Sequence, residues 1–175
     1  MVENSVILIF DGHDGTGKTT LAKALSKVIN AQYLRPFEGK TGEALIEAAN
    51  AEDFDKVITI GRMAIHTKID SVTTHKPLIF DRHWLTVLSL LPETYQKCWP
   101  YQDKTYSFLC TAPLQTVKER LHTRKEKKFE DTYHSHYLKK YQELAAKCNV
   151  QILDTQKKSV EELIKDLKVN IPLKI

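Results

Sequence analysis

No apolar run in this sequence approaches the roughly 18 residues that a membrane-spanning helix needs. The amino terminus also lacks the basic stretch and cleavage site of a secretory leader. A soluble, cytoplasmic protein with no membrane partner is the expectation. Cysteine is scarce: Cys98, Cys110 and Cys148 are odd in number, widely separated and not at metal-ligand spacing. They are therefore expected to be reduced thiols packed as small apolar fillers in a reducing compartment. There is no Pro/Gly-rich linker, no low-complexity tract and no internal repeat, so residues 1–175 are expected to form a single domain. The net charge is only +4, and much of the local excess sits in RLHTRKEKKFE, Arg120 to Glu130. A nucleic-acid partner is not needed to account for it, and a polyanionic small molecule suits it equally well. Glycine is sparse too, six residues in all, yet three of them fall within FDGHDGTGKTT.

Between these absences lies a regular alternation. Short, nearly continuous apolar runs occur at Val6 to Phe10, Gln32 to Leu34, Pro77 to Asp81, Tyr106 to Thr111 and Val150 to Asp154, the pattern of strands buried on both faces. Helical spacing separates them: Leu21, Leu25 and Val28; Ile58, Arg62, Ile65 and Ile69; and Val160, Leu163, Ile164 and Leu167. A further helical segment, Tyr133 to Lys147, leads into the last strand. The expected fold is α/β, a five-stranded parallel sheet with helices on both faces.

Gly12, four intervening residues, Gly17, Lys18 and Thr19 satisfy the phosphate-binding loop pattern, and the loop lies where it should, after a strand and before a helix. Glycines there let successive N–H groups turn inward around an anion, and the helix N-terminus adds its positive dipole end. Lys18 is expected to hold the β- and γ-phosphates and Thr19 to offer its hydroxyl to Mg²⁺. Asp81 ends a buried strand, where a carboxylate can sit beside that metal, and Arg82 follows, where a guanidinium can clamp a second phosphate.

In order along the chain, these motifs resemble the thymidylate kinase family of nucleoside monophosphate kinases. FDGHDGTGKTT resembles that family's loop, LRPFEGKTGEALIE its Arg-to-Gly-Glu segment, ITIGRMAIH its arginine-bearing helix, FDRH its Asp-Arg-Tyr/His motif, and VKERLHTRKEKKFE its arginine-rich lid. VQILDTQKKSVEELIKDL resembles its last strand and helix. The resemblance implies an ATP- and Mg²⁺-dependent transfer to a (deoxy)nucleoside monophosphate, with a helical lid at about residues 120–132. It also implies roles. Gly12, Asp14, Gly15, Thr16, Gly17, Lys18, Thr19 and Thr20 would form the ATP loop, and Arg120 would lie near the adenine. Thr19 and Asp81 would hold the metal. Asp14, Arg35, Arg62 and Arg82 would bind the acceptor. Lys18, Asp81, Arg82 and Arg124 would be catalytic, with Lys128 a further lid candidate, although Lys125, Lys127 and Lys128 each suit a solvated helix face equally well. A homodimer is left open.

The sequence departs from the family after Asp81-Arg82. WLTVLSLLPETYQKCW does not reproduce the stretch that lines the thymine pocket, and Lys127 stands where an aspartate is common. Trp84, Tyr95, Trp99 and Tyr101 could stack a base but suit a core better, and His13, His66 and His83 are expected to make structural hydrogen bonds. The alternatives are a kinase for a nucleoside or non-nucleotide small molecule, or a nucleotide-binding switch. The Asn-Lys-x-Asp stretch of guanine-specific switches is absent.

Overall fold

In a computed structural model, which describes residues 6–73, 75–98, 105–123 and 129–171, five strands form one sheet. They are β1 (Ile7–Asp11), β2 (Gln32–Leu34), β3 (Leu78–Asp81), β4 (Thr105–Thr111) and β5 (Gln151–Asp154), in the spatial order β2-β3-β1-β4-β5. Every pairing is parallel, with Phe10 beside Asp81 and Phe108. The apolar runs thus mark all five strands to within a residue or two. Val6 and Pro77 fall just outside, their carbonyls accepting from Leu78 N and Gln32 N at 2.8 Å.

Among the described residues six α-helices lie between the strands and a seventh follows the last: α1 (Lys18–Val28), α2 (Lys40–Asn50), α3 (Phe54–Asp70), α4 (Trp84–Ser89), α5 (Leu114–Thr123), α6 (Asp131–Lys147) and α7 (Val160–Asn170). Strand alternation assigns them to two faces. Phe108 and Cys110 of β4 join Leu21 and Leu25 of α1 and Leu163 and Leu167 of α7. Leu109, between them, joins Leu45, Val57, Leu85, Leu88 and Leu144 from α2, α3, α4 and α6. α7 starts at a capping box in which Ser159 Oγ accepts from Glu162 N and the Glu162 carboxylate accepts from Ser159 N. Such a cap stabilises a helix start by about 1 kcal/mol.

Three expectations need correction. α3 buries Val57, Gly61 and Ile65, while Arg62 is exposed and Ile58 and Ile69 are only partly covered, so the buried face lies one residue from the predicted one. Gly61 explains the shift: a Cβ there would stand 2.6 Å from Val87 Cγ2, so its absence lets α3 pack directly on α4. Val28 at the end of α1 is half exposed rather than buried. The cysteine expectation also fails for two of three residues. Cys98 and Cys148 form a disulfide, their Cα atoms 5.6 Å apart despite a separation of 50 residues. The chain after the turn Glu93–Tyr95 returns to the C-terminal end of α6, a proximity that spacing along the chain does not reveal. Cys110 alone is a buried free thiol, its pKa pushed up to about 12 by burial. Among the described residues no helix is long and apolar enough to cross a membrane.

Candidate active site

The loop between β1 and α1 depends on glycine at three points. Gly12, Gly15 and Gly17 have φ of 146°, 79° and 82°, where side-chain-bearing residues are strained. A Cβ on Gly12 would also stand 2.4 Å from Cys110 O, and one on Gly15 2.9 Å from Val117 O. Lys18, the first residue of α1, is buried, and its ammonium donates to His13 O at 3.2 Å and approaches Asp14 Oδ1 at 3.4 Å. Burial, then the neighbouring Arg82 charge, lowers its pKa, and Asp14 opposes the shift. Thr16 Oγ1 donates to the same His13 carbonyl at 2.7 Å.

One residue on, Thr19 Oγ1 donates to Asp81 Oδ2 at 2.7 Å, so the end of β3 reaches the start of α1. Tyr33 of β2 donates its phenol to the same oxygen, and Arg35 Nε lies 3.8 Å away. Asp81 Oδ1 is buried with no hydrogen-bond partner. A hydroxyl beside an orphaned carboxylate oxygen fits a Mg²⁺ ion, which takes few protein ligands and completes its shell with water and phosphate oxygens. Among the described residues no group of three His, Cys, Asp or Glu side chains gathers as a metal cage.

Arg82 has φ of 76° and its backbone N donates to Phe10 O at 2.9 Å. Its guanidinium pairs with Asp14 and approaches Gly12 O and Tyr141 Oη at 3.4 Å. Burial alone would raise the Asp14 pKa, but the Arg82 and Lys18 charges override it and hold the carboxyl well below the usual carboxylate range. Beneath this pair, Asp11 Oδ1 accepts from His83 N (2.8 Å), Thr86 N (3.2 Å) and Thr86 Oγ1 (2.6 Å), supplying the start of α4 with the partner its own residues do not. Tyr141 Oη donates to Thr86 Oγ1 at 3.1 Å. One relay therefore joins β1, α4 and α6.

Among the described residues two cavities meet the loop. One, about 240 Å³, is lined by Asp14, Arg82, His13, Phe37, Ser89, Tyr133, Tyr137 and Tyr141. The other, about 310 Å³, is lined by Gly17, Thr20, Arg120, Thr155, Lys158 and Val160. Arg120 donates to Gly15 O (3.2 Å), Thr155 Oγ1 (3.0 Å) and Thr155 O (3.0 Å), and Thr155 Oγ1 reaches Thr16 O at 2.8 Å, so α5 and the end of β5 brace the loop. A larger groove, about 620 Å³, lies between α6 and the chain around Pro92, away from the loop.

The predicted residues Gly12, Asp14, Gly15, Thr16, Gly17, Lys18, Thr19, Thr20, Asp81, Arg82 and Arg120 thus come together, with Arg35 at the margin beside Asp81. Arg62 does not join them: it is exposed on α3 and lines neither cavity. Arg124, Lys125, Lys127, Lys128, Trp99 and Tyr101 lie outside the described residues. Trp84 is core, its indole donating to Lys97 O at 2.8 Å, and Tyr95 packs on Phe54. The aromatic wall comes instead from Tyr133, Tyr137 and Tyr141, a stripe at four-residue spacing that the sequence displays openly. Asp11, Tyr33 and Thr155 carry no comparable sequence signal.

A glycine-hinged loop with a buried lysine at a helix start, a strand-end carboxylate touching the next threonine, and an arginine one residue later define a P-loop phosphotransferase of the nucleotide kinase class. Comparison with known proteins narrows the class. Residues 10–167 match the sequence profile of the thymidylate kinase family. A probable thymidylate kinase of Methanocaldococcus jannaschii is 30% identical over 179 residues, with 93% of each chain covered. One of Methanococcus maripaludis is 22% identical over 182 residues, covering 91% of this chain and 92% of that one. Among solved structures, deoxyadenosine kinase from M. mycoides with bound dATP superposes with a TM-score of 0.67 at 15% identity, over 94% and 98% of the two chains. The YorR protein of Bacillus subtilis, in complex with phosphorylated GDP, gives 0.62 at 18% identity, over 94% and 95%. These likenesses are of fold. The chain belongs to the thymidylate kinase family and is a nucleoside monophosphate kinase.

Proposed function

We propose that the protein transfers the γ-phosphoryl group of ATP to the phosphate of a deoxynucleoside monophosphate, giving ADP and the diphosphate, with thymidine monophosphate the first acceptor to test. The observation that carries this reading is the Arg82–Asp14 pair in the wall of the tyrosine-lined cavity, beside Lys18. Arg82 offers a planar fork to the acceptor's phosphate, Asp14 meets the sugar hydroxyl, and Arg35 approaches from the end of β2. The cavity around Thr20, Arg120 and Thr155 takes the donor's nucleoside. Loop N–H groups and Lys18 hold its phosphates, and Thr19 and Asp81 would hold Mg²⁺, which would supply positive charge to neutralise the developing phosphate charge.

Phosphoryl transfer asks the protein mainly for positioned charge. Lys18 stabilises charge on the transferring group, and Arg82 fixes the attacking phosphate oxygen in line. Arg124, in a lid at about residues 120–132, adds charge by analogy with the family, and Arg62 awaits the same test. Such substrates belong to the cytoplasm, where the Cys98–Cys148 bond would meet a reducing thiol pool. An ADP-release assay across nucleoside monophosphates, nucleosides and small alcohols tests the reading. Stimulation by monophosphates supports it; stimulation by nucleosides or alcohols alone reassigns the acceptor.

A further inference from the structure

His13, in the middle of the phosphate loop, and His134, in the first turn of α6, are both 5% exposed. They lie 121 residues apart in sequence, yet His13 Nε2 and His134 Nδ1 are 2.8 Å apart. One proton fits between those atoms, so one ring donates and the other accepts, and the bond requires both facing nitrogens not to carry protons together. The surroundings favour a neutral His13 ring: burial lowers its pKa to about 4, with Asp14 opposing and Lys18 and Arg82 reinforcing the shift. From α6 the groups facing His13 are aromatic. Its ring lies parallel to that of Tyr137, 4° between planes and 5.8 Å between centroids, and 5.8 Å from that of Tyr133. His134 meets Tyr133 and Phe129 edge-on. The His13 carbonyl, meanwhile, receives Lys18 and Thr16.

We propose that His13 and His134 form a positioning dyad, whose single hydrogen bond seats the first turn of α6 on the phosphate loop and thereby holds Tyr133 and Tyr137 as the wall of the acceptor cavity. His13 thus serves two sites: its carbonyl is fixed by the lysine that holds donor phosphates, and its ring fixes the wall that holds the acceptor. Within the first turn of α6 no ion pair joins helix to phosphate loop among the described residues, Asp131 pairing instead with Lys118 of α5 at 2.7 Å, so the imidazole bond is the polar contact that ties this turn to the loop. The two tyrosines follow from it geometrically, because Tyr133 precedes His134 directly and Tyr137 lies one turn on, above the His13 ring. The acceptor part of the inference rests on the proposed function; the dyad itself does not.

Two substitutions of His134 separate hydrogen bonding from bulk. Asparagine presents an amide atom near the position of Nδ1 and can serve either ring tautomer of His13, whereas leucine fills the space without a polar atom. With thymidine monophosphate and ATP as probes, His134→Leu should raise the acceptor KM about tenfold while kcat and the ATP KM stay within about twofold, and His134→Asn should restore the acceptor KM to within about threefold of the parent. An Asn variant as impaired as the Leu variant overturns the dyad, as does an acceptor KM that neither substitution moves. Independently of turnover, ¹⁵N spectra of histidine-labelled unmodified protein near neutral pH should show a neutral His13 imidazole coupled to that of His134 across one N–H···N bond. Two uncoupled rings would refute the dyad even if the His134→Leu variant failed to fold. A coupled pair in protein that no nucleoside monophosphate stimulates would keep the dyad and reject the acceptor assignment.

Discussion

Replacing Arg82 by lysine isolates geometry from charge. The backbone at this position has φ of 76°, equally awkward for both residues, so the exchange adds no backbone strain of its own. The Gly12 and Tyr141 contacts, at 3.4 Å, are long, and their loss alone should leave the loop standing. What disappears is the planar fork that can grip two phosphate oxygens at once while Asp14 is nearby. A pair of charge-assisted hydrogen bonds reduced to one point contact costs about 1.5–3 kcal/mol, or about 10- to 100-fold in acceptor affinity. ATP affinity should change by less than about twofold, because Lys18 and the loop N–H groups that serve it are untouched. Calorimetric titration of parent and Arg82→Lys protein with each substrate reads both numbers directly. Weakened ATP with a spared acceptor would refute the assignment and shift the second phosphate site toward Arg35 or Arg62.

Lys18→Ala should lower turnover by at least about a hundredfold, since it removes a charge beside the transferring group; single-turnover kinetics with retained rates would remove the loop from catalysis. Burial holds His13 at about 4 and His83 at about 3, both below the ordinary 6.5. Their contribution to stability is therefore complete above pH 6.5 and is lost as pH falls toward those values, by up to about 1.4 kcal/mol per pH unit for each ring. Asp11, whose pKa burial raises, acts in the opposite sense, so urea denaturation should show stability falling from pH 7 to pH 5 by less than the two rings alone would give. Stability that is flat or rising on acidification would contradict neutral burial of the two rings. Opening the Cys98–Cys148 bond frees a 50-residue loop in the unfolded chain, worth about 4 kcal/mol by loop entropy. Guanidinium midpoints with and without a dithiol reductant, or for Cys98→Ser, should differ accordingly, and coincident curves would deny the bond a stabilising role.

All five strands are legible because each is a short apolar run buried on both faces, a signal local to the run. The phosphate loop is legible because glycine spacing and flanking elements are also local. What the sequence hides depends on contacts between distant segments. Gly61 carries no hydrophobic signal, so hydrophobic spacing alone places the face of α3 that meets Val87 one residue off. Asp11 reads as the start of the loop, and only the return of α4 to β1 makes it a cap. The disulfide and the His13–His134 bond join residues 50 and 121 positions apart, with no periodicity linking them. The family pattern puts a base-facing wall after Asp81-Arg82, where this sequence departs from it. The aromatic lining of the cavity beside Arg82 stands instead partly on α6, where Tyr133, Tyr137 and Tyr141 keep helical spacing.

The central claim is that the acceptor already carries a phosphate when it arrives beside Arg82. Phosphorus NMR of the protein with ATP, Mg²⁺ and thymidine monophosphate, or whichever monophosphate stimulates ADP release most, identifies the new bond itself. The account predicts that the acceptor's phosphate singlet gives way to two mutually coupled resonances of a diphosphate as ADP accumulates. A persistent monophosphate singlet, with new phosphate monoester formed only when a nucleoside or simple alcohol is supplied, would contradict it.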